Sequence, residues 1–235
     1  MNGLHIAQTY DVSIEAYQDS FLGDRNKVQD TVFNRFLHYL EPRSTVLDLG
    51  CGLGTYAGLV RKSKAFSQVT GVDISKAMIR RARESAPGCV FHCRDFRSIR
   101  YPQNAFDAVI VASVVFHLQP EELVWLIQNI VSTLKPDGLI FMNFWSGDYS
   151  GFKRLAFADR PMMIYYYDYP YILELMRSFF FGNIGIRTYK RVLETAAGPE
   201  SISDIYYLGH MLKDVRASQR LRSAVAPPML LRVRQ

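Results

Sequence analysis

A chain of 235 residues with 49% hydrophobic and 21% charged side chains has the make-up of a globular protein and excludes a disordered one. The formal net charge is +6, but residues 213–235 hold six basic side chains against the single acid Asp214, so the body is nearly neutral and a basic nucleic-acid-binding face is disfavoured. No apolar run reaches the roughly 18–20 residues of a membrane span, and the three cysteines, Cys51, Cys89 and Cys93, are too few for a disulfide framework.

The opening Met1-Asn2-Gly3-Leu4-His5 lacks the basic-then-apolar layout of a signal peptide, so a reduced, cytoplasmic setting is expected. Cys89 and Cys93 have no Cys or His set at zinc spacing, and no metal site is expected. Val28, Val32, Phe33, Phe36, Leu37 and Leu40 fall on one helical stripe that stops before Pro42. Thr45–Leu49 is a short apolar run ending in a glycine cluster, and a helix over about Thr55–Arg61 follows. Val69–Val72 ends in Asp73, with Ser75 placed to cap the next helix. Cys89–Cys93 reads as a third strand and Phe106–Ala112 as a fourth, almost wholly apolar and so buried on both faces. Pro120 opens a helix with Leu123, Leu126, Ile127, Ile130, Val131 and Leu134 at helical spacing. Pro136-Asp137-Gly138 reads as a turn before a fifth strand, Leu139–Phe144.

Strands that alternate with helices in this way predict an α/β fold, a doubly wound parallel sheet. Ligands of such sheets bind beyond the carboxyl ends of the strands. Gly50–Gly54, Asp73, Asp95 and Ser113–His117 all follow such ends and should line one crevice.

The run Asp48-Leu49-Gly50-Cys51-Gly52-Leu53-Gly54-Thr55 is the central feature. Its glycines permit a tight turn and close approach of a ligand to backbone N–H groups. Asp73, at the end of the next strand, suits the two hydroxyls of a ribose, so an adenosine-bearing cofactor is expected. Gly52-x-Gly54-x-x-Ala57 also fits the dinucleotide fingerprint, but Asp48 stands two residues before the first glycine. A carboxylate there suits an ammonium group better than a pyrophosphate.

This pattern closely resembles the class I S-adenosylmethionine-dependent methyltransferases of the small-molecule type. The resemblance rests on the Asp48–Gly54 loop, Val72-Asp73-Ile74-Ser75, Cys93-Arg94-Asp95-Phe96, Phe106-Asp107-Ala108-Val109 and Leu134-Lys135-Pro136-Asp137-Gly138, in order over residues 44–145. It implies a Rossmann-like, seven-stranded, mostly parallel sheet completed by a C-terminal antiparallel hairpin. It implies S-adenosylmethionine as cofactor, with S-adenosylhomocysteine as product. Asp48, Gly50, Gly52 and Gly54 would surround the methionine end, with Ser113 nearby. Asp73 would take the ribose hydroxyls, Ile74 and Met78 would pack on adenine, and Asp95 and Phe96 would meet its amino group and ring. The segment Tyr10-Asp11 to Ala16-Tyr17 resembles a stretch that folds over the cofactor in many small-molecule members, which adds Tyr17 to the site.

His117 is the candidate general base, where the nucleophile must lose a proton. Tyr165, Tyr166 and Tyr169 are candidates for holding an aromatic or cationic acceptor, although their rings could equally pack a lid helix. No Asn/Asp-Pro-Pro-aromatic or Pro-Cys segment follows the fourth strand, which disfavours nucleic-acid substrates and leaves a small-molecule methyl acceptor. The expected organisation is one domain over 1–212: a helical cap (1–43), a cofactor core (44–145), a substrate lobe (146–182) and a hairpin (183–212), then the basic tail (213–235). A nicotinamide-dependent oxidoreductase and a non-catalytic partner subunit on the same fold are the alternatives.

Overall fold

The computed structural model describes residues 3–23, 27–65, 67–148 and 150–212, and the basic tail lies outside the described residues. Three helices open the chain: α1 (Gly3–Val12), α2 (Ile14–Gly23) and α3 (Lys27–Tyr39). The core then alternates β1 (Thr45–Leu49), α4 (Thr55–Ser63), β2 (Gln68–Asp73), α5 (Lys76–Ser85), β3 (Val90–Cys93), β4 (Phe106–Val111), α6 (Pro120–Thr133) and β5 (Leu134–Ser146). A short pair, β6 (Gly151–Lys153) and β7 (Met162–Ile164), precedes α7 (Tyr169–Ser178) and a long hairpin, β8 (Phe181–Thr195) and β9 (Gly198–Met211).

The sheet order is β3-β2-β1-β4-β5-β9-β8. Strands β3, β2, β1, β4 and β5 are parallel neighbours, β9 runs antiparallel to β5, and β8 antiparallel to β9. This is the expected doubly wound sheet with its closing hairpin.

Strand periodicity sends alternate side chains to opposite faces. On β4, Ala108 and Ile110 join Phe33 and Phe36 of α3 and Val60 of α4 on one face. Val109 and Val111 join Leu123, Ile127 and Ile130 of α6 and Ile172, Leu175 and Met176 of α7 on the other. Both faces of the strand are therefore buried, which is why it reads as an unbroken apolar run.

Two boundaries differ from the sequence reading. The Pro136-Asp137-Gly138 turn is absorbed into β5 as a bulge: Phe106 pairs with Leu134, and pairing resumes at Ala108 with Leu139. Asp137 takes the left-handed conformation there, with φ 63°. The final hairpin, expected over 183–212, also starts earlier, with β8 running from Phe181. Its distal half carries Leu193 and Ile202 away from the sheet to cover β6 and β7, in a third cluster with Phe116, Trp145, Leu155, Met162 and Ile164. Residues 146–182 thus divide between two places, with α7 on the main core and β6–β7 on the hairpin tip.

Candidate cofactor and acceptor site

The site begins where β1 stops. Gly50, Gly52 and Gly54 all take positive φ, at 70°, 51° and 76°. The amides of Gly50 and Cys51 both donate to the Val72 carbonyl, at 2.7 and 3.0 Å, which ties the turn to the end of β2. The three glycines serve different ends. A Cβ at Gly50 would lie 2.1 Å from Val114 Cγ2, so that position is closed by packing. A Cβ at Gly52 would meet nothing within 4 Å, so the backbone there borders open space. Gly54, the N-cap of α4, packs against Ala82 and Phe91 instead.

A cavity of about 100 Å³ opens above the turn. Of the residues expected at the cofactor, Tyr17, Gly50, Gly52, Asp73, Ile74, Met78, Asp95, Phe96 and Ser113 line it. Gly54 and Asp48 do not. Asp48 sits beneath the turn, 1% exposed, and neither carboxylate oxygen has a hydrogen-bond partner. Burial, then the neighbouring Asp73 charge, pushes its pKa up to about 7, and the Ala57 amide at the start of α4 offsets this only in part. A buried ionisable group left without a partner is costly, and a cation close above it would relieve that cost.

Asp73 lies at the mouth of β2. Its carboxylate accepts the Gly52 amide and the Ser75 amide, each at 2.9 Å. Burial raises its pKa, these amides lower it, and Asp11 raises it again. A carboxylate has about four acceptor positions, so capacity for a diol remains. Ser75 caps α5 through the Met78 amide, as its position foretells.

Asp95 is more heavily engaged than the sequence suggests. It caps the turn Phe96–Ser98 through the Arg97 amide and grips the Arg97 guanidinium at 2.7–3.1 Å. Burial alone would raise its pKa, but the Arg97 hydrogen bonds outweigh this and hold it below the usual value. Arg97 also pairs with Glu122. Arg97 is the one Lys or Arg among the described residues lining the cavity, and it is neutralised twice over. The cavity therefore offers carboxylates and no spare cation, which suits a cationic ligand and disfavours a pyrophosphate.

His117 reaches the cavity wall at its far end. Its Nε2 lies 2.9 Å from Tyr10 Oη. Burial depresses its pKa to about 3, with the Met163 backbone offsetting this only in part. The ring is thus neutral at physiological pH and weakly basic, and its Nε2 is engaged with Tyr10. Tyr165, Tyr166 and Tyr169 are not brought to the cavity. The Tyr166 hydroxyl donates to Glu200, whose carboxylate pairs with buried Lys153. Tyr165 packs against the main core, and Tyr169 is exposed at the start of α7. Their tyrosine-rich spacing reflects packing of the β7–α7 connection.

The aromatic groups near the cavity come from elsewhere. Tyr10 stacks on Phe157 and meets Tyr17 edge-on, with ring centres at 5.6 and 5.4 Å. Gly3, Ile6 and Tyr10 of α1 line the cavity, as do Cys51, Leu53, Thr55, Tyr56 and Val114. The signal for α1 was present in the Gly3, Ile6, Tyr10 spacing, one face of a helix. Among the described residues no group of acidic, His or Cys side chains could hold a metal ion.

Residues 46–138 match the family described as methyltransferase domain. The chain is 31% identical over 130 residues to 2-methyl-6-phytyl-1,4-hydroquinone methyltransferase of Synechocystis sp., covering 54% of this chain and 40% of that protein. It is 36% identical over 101 residues to trans-aconitate 2-methyltransferase of Enterobacter sp., covering 43% and 39%. The chain thus matches about two fifths of the length of these curated relatives. Among solved structures, magnesium protoporphyrin IX methyltransferase from Synechocystis, with bound SAH, superposes with a TM-score of 0.65 at 16% identity, over 90% of this chain and 100% of that one. Together with the sheet order and the glycine turn, the match over residues 46–138 to the methyltransferase-domain family supports a class I, S-adenosylmethionine-dependent methyltransferase.

Proposed function

We propose that the chain transfers a methyl group from S-adenosylmethionine to an N, O or C nucleophile of a small molecule. The observation that carries this reading is the open backbone at Gly52, flanked by unpartnered Asp48 beneath and Asp73 beside it. S-adenosylmethionine supplies an already activated methyl group on a sulfonium. The protein's share is then positioning and the exclusion of water. Asp48 would favour the positive charges at the methionine end from below the turn. Asp73 would hold the ribose through its free lone pairs, and Ile74, Met78 and Phe96 would enclose the adenine. Asp95, held by Arg97, would keep one edge for the adenine amino group. Ser113, in the left-handed conformation at φ 58°, donates its amide to Asn143 and so shapes the wall at the methyl end.

His117 is better suited to hold Tyr10 than to take a proton directly, because its ring is weakly basic and its Nε2 faces the Tyr10 hydroxyl. An acceptor whose nucleophile needs little help from a base fits this arrangement best. The acceptor side, walled by Tyr10 and Tyr17 with Phe157 packed against both, favours an apolar or planar molecule. The two curated relatives carry names of small-molecule methyltransferases, which supports the same class. Isothermal titration with S-adenosylhomocysteine and with NADH tests the reading. Binding of the first and not the second is expected; the reverse would point to an oxidoreductase, and binding of neither to a non-catalytic subunit.

A further inference from the structure

Glu122 serves two elements at once. Its Oε2 accepts the Gln119 amide at 3.2 Å, one half of the capping box that fixes the start of α6. Its other oxygen, Oε1, accepts Arg97 Nη1 at 2.5 Å, from the segment that follows β3. The helix cap needs only the first contact.

Arg97 in turn grips Asp95. Its Nη2 donates to Asp95 Oδ2 at 2.7 Å, and its Nε is shared between Oδ1 and Oδ2 at 2.9 and 3.1 Å. The Arg97 amide donates to Oδ1 at 3.0 Å. A guanidinium is planar, so carboxylates at two of its edges fix both its position and its tilt. Gly3 packs on the same corner. A Cβ there would lie 2.5 Å from Arg97 Nη2 and 3.0 Å from Asp95 Oδ2, which leaves the guanidinium little room to swing. Asp95 and Arg97 line the cavity beside Ile74 and Phe96, whereas Glu122 stands behind them. A carboxylate offers about four acceptor positions. The amide, Nε and Nη2 of Arg97 occupy most of them, so Asp95 keeps about one for a ligand.

We propose that Arg97 and Glu122 are positioning residues that set the purine specificity of the site through Asp95. The inference rests on the proposed cofactor reading. Arg97 keeps Asp95 ionised and turned so that its remaining lone pair meets one amino hydrogen of adenine. Hypoxanthine carries a carbonyl oxygen in place of that amino group, and two acceptors set face to face repel. A carboxylate held in this way can neither turn from the clash nor take up a proton to relieve it. One released from Arg97 can do both. Glu122 supplies the fixed point, because it is itself tied to the start of α6.

The test is titration calorimetry of the full chain with S-adenosylhomocysteine and with S-inosylhomocysteine, its 6-oxo analogue. Wild type should prefer the adenine compound by roughly tenfold or more, since a site built to bond a donor rejects an analogue lacking it. Arg97→Met keeps the packing of the stem without the fork and should bring that preference close to one. Glu122→Gln keeps the capping box, where Gln serves as well as Glu. It weakens only the link to Arg97, and the preference should fall about threefold. A merely structural role would lower the melting temperature and weaken both compounds alike, with their ratio unchanged. Should Arg97→Met fail to fold, Glu122→Gln decides. A wild type without preference, or a ratio unchanged in the variants, would overturn the proposal. A ratio lost in Arg97→Met and intact in Glu122→Gln would overturn the part given to Glu122. Failure of the wild-type chain to bind either compound would instead overturn the cofactor reading itself.

Discussion

Replacing Asp48 by Asn should stabilise the ligand-free protein while weakening its cofactor binding. Asp48 is 1% exposed with no hydrogen-bond partner, and its pKa stands at about 7 against an ordinary 3.8. A shift of about 3 units is equivalent to about 4 kcal/mol of penalty on the ionised form. The sign follows from proton counting. Between pH 4 and 7 the folded protein holds a proton on Asp48 that the unfolded chain has lost. Stability from this group is therefore complete below about pH 4 and is lost as pH rises through 7. Asn carries no charge and escapes the loss, although its amide remains as unsatisfied as the neutral carboxyl. Relaxation and water penetration reduce the ceiling, so a gain of about 2 kcal/mol at pH 8 is expected, or about 4–8 °C for a chain of this size. Calorimetric melting of both proteins at pH 8 and near pH 4 measures it, and titration with S-adenosylhomocysteine at pH 8 measures the accompanying loss of affinity. A variant less stable than wild type at pH 8, or an equal difference at both pH values, would refute the account of Asp48 as a strained, unpartnered charge.

Cofactor binding should release protons near neutrality, because a cation above Asp48 favours its ionised form; titration in buffers of different ionisation enthalpy reads this out, and the affinity should rise with pH up to about 7. Gly52→Ala and Gly50→Ala should separate binding from folding. The first places a methyl in open space and should cost affinity with about 1 kcal/mol of stability. The second drives a methyl into Val114 and should cost about 2 kcal/mol or more in a denaturant melt. His117 has the opposite linkage to Asp48: with its pKa held near 3, the folded form resists a proton that the unfolded chain takes up at about 6.5, so stability drains as pH falls from 6.5 towards 3. His117→Gln should flatten that limb of the pH–stability curve. Tyr169→Ala should leave S-adenosylhomocysteine affinity within about twofold, since the side chain is exposed and away from the cavity.

Much of the core was legible because its signals are local. A strand buried on both faces must be apolar throughout, so β4 announced itself. A turn with three left-handed residues favours three glycines, and a helix N-terminus after a strand favours Ser75. Those constraints act over a few residues and leave a mark in any sequence that meets them. The topological rule that ligands sit beyond strand ends picked out Gly50–Gly54, Asp73, Asp95 and Ser113, and the family resemblance added Tyr17, Asp48, Ile74, Met78 and Phe96; of the eleven residues expected at the cofactor, nine line one cavity.

The rest depended on distances between segments far apart in the chain. No local pattern states that Asp11 meets Ser75, 64 residues later, or that Tyr10 meets His117, 107 residues later. His117 looked like a base from its intrinsic pKa, and only burial and Tyr10 turned it into a neutral partner. The tyrosines at 165–169 looked like an acceptor cage, yet the direction of the β7–α7 connection sends them to Glu200, the core and the surface. Asp48 illustrates both levels. Its place before the glycines was enough to favour a cationic ligand over a phosphate, because charge and spacing are written in the chain. That it lies under the turn, dry and unpartnered, was decided by the sheet and by α4 closing over it.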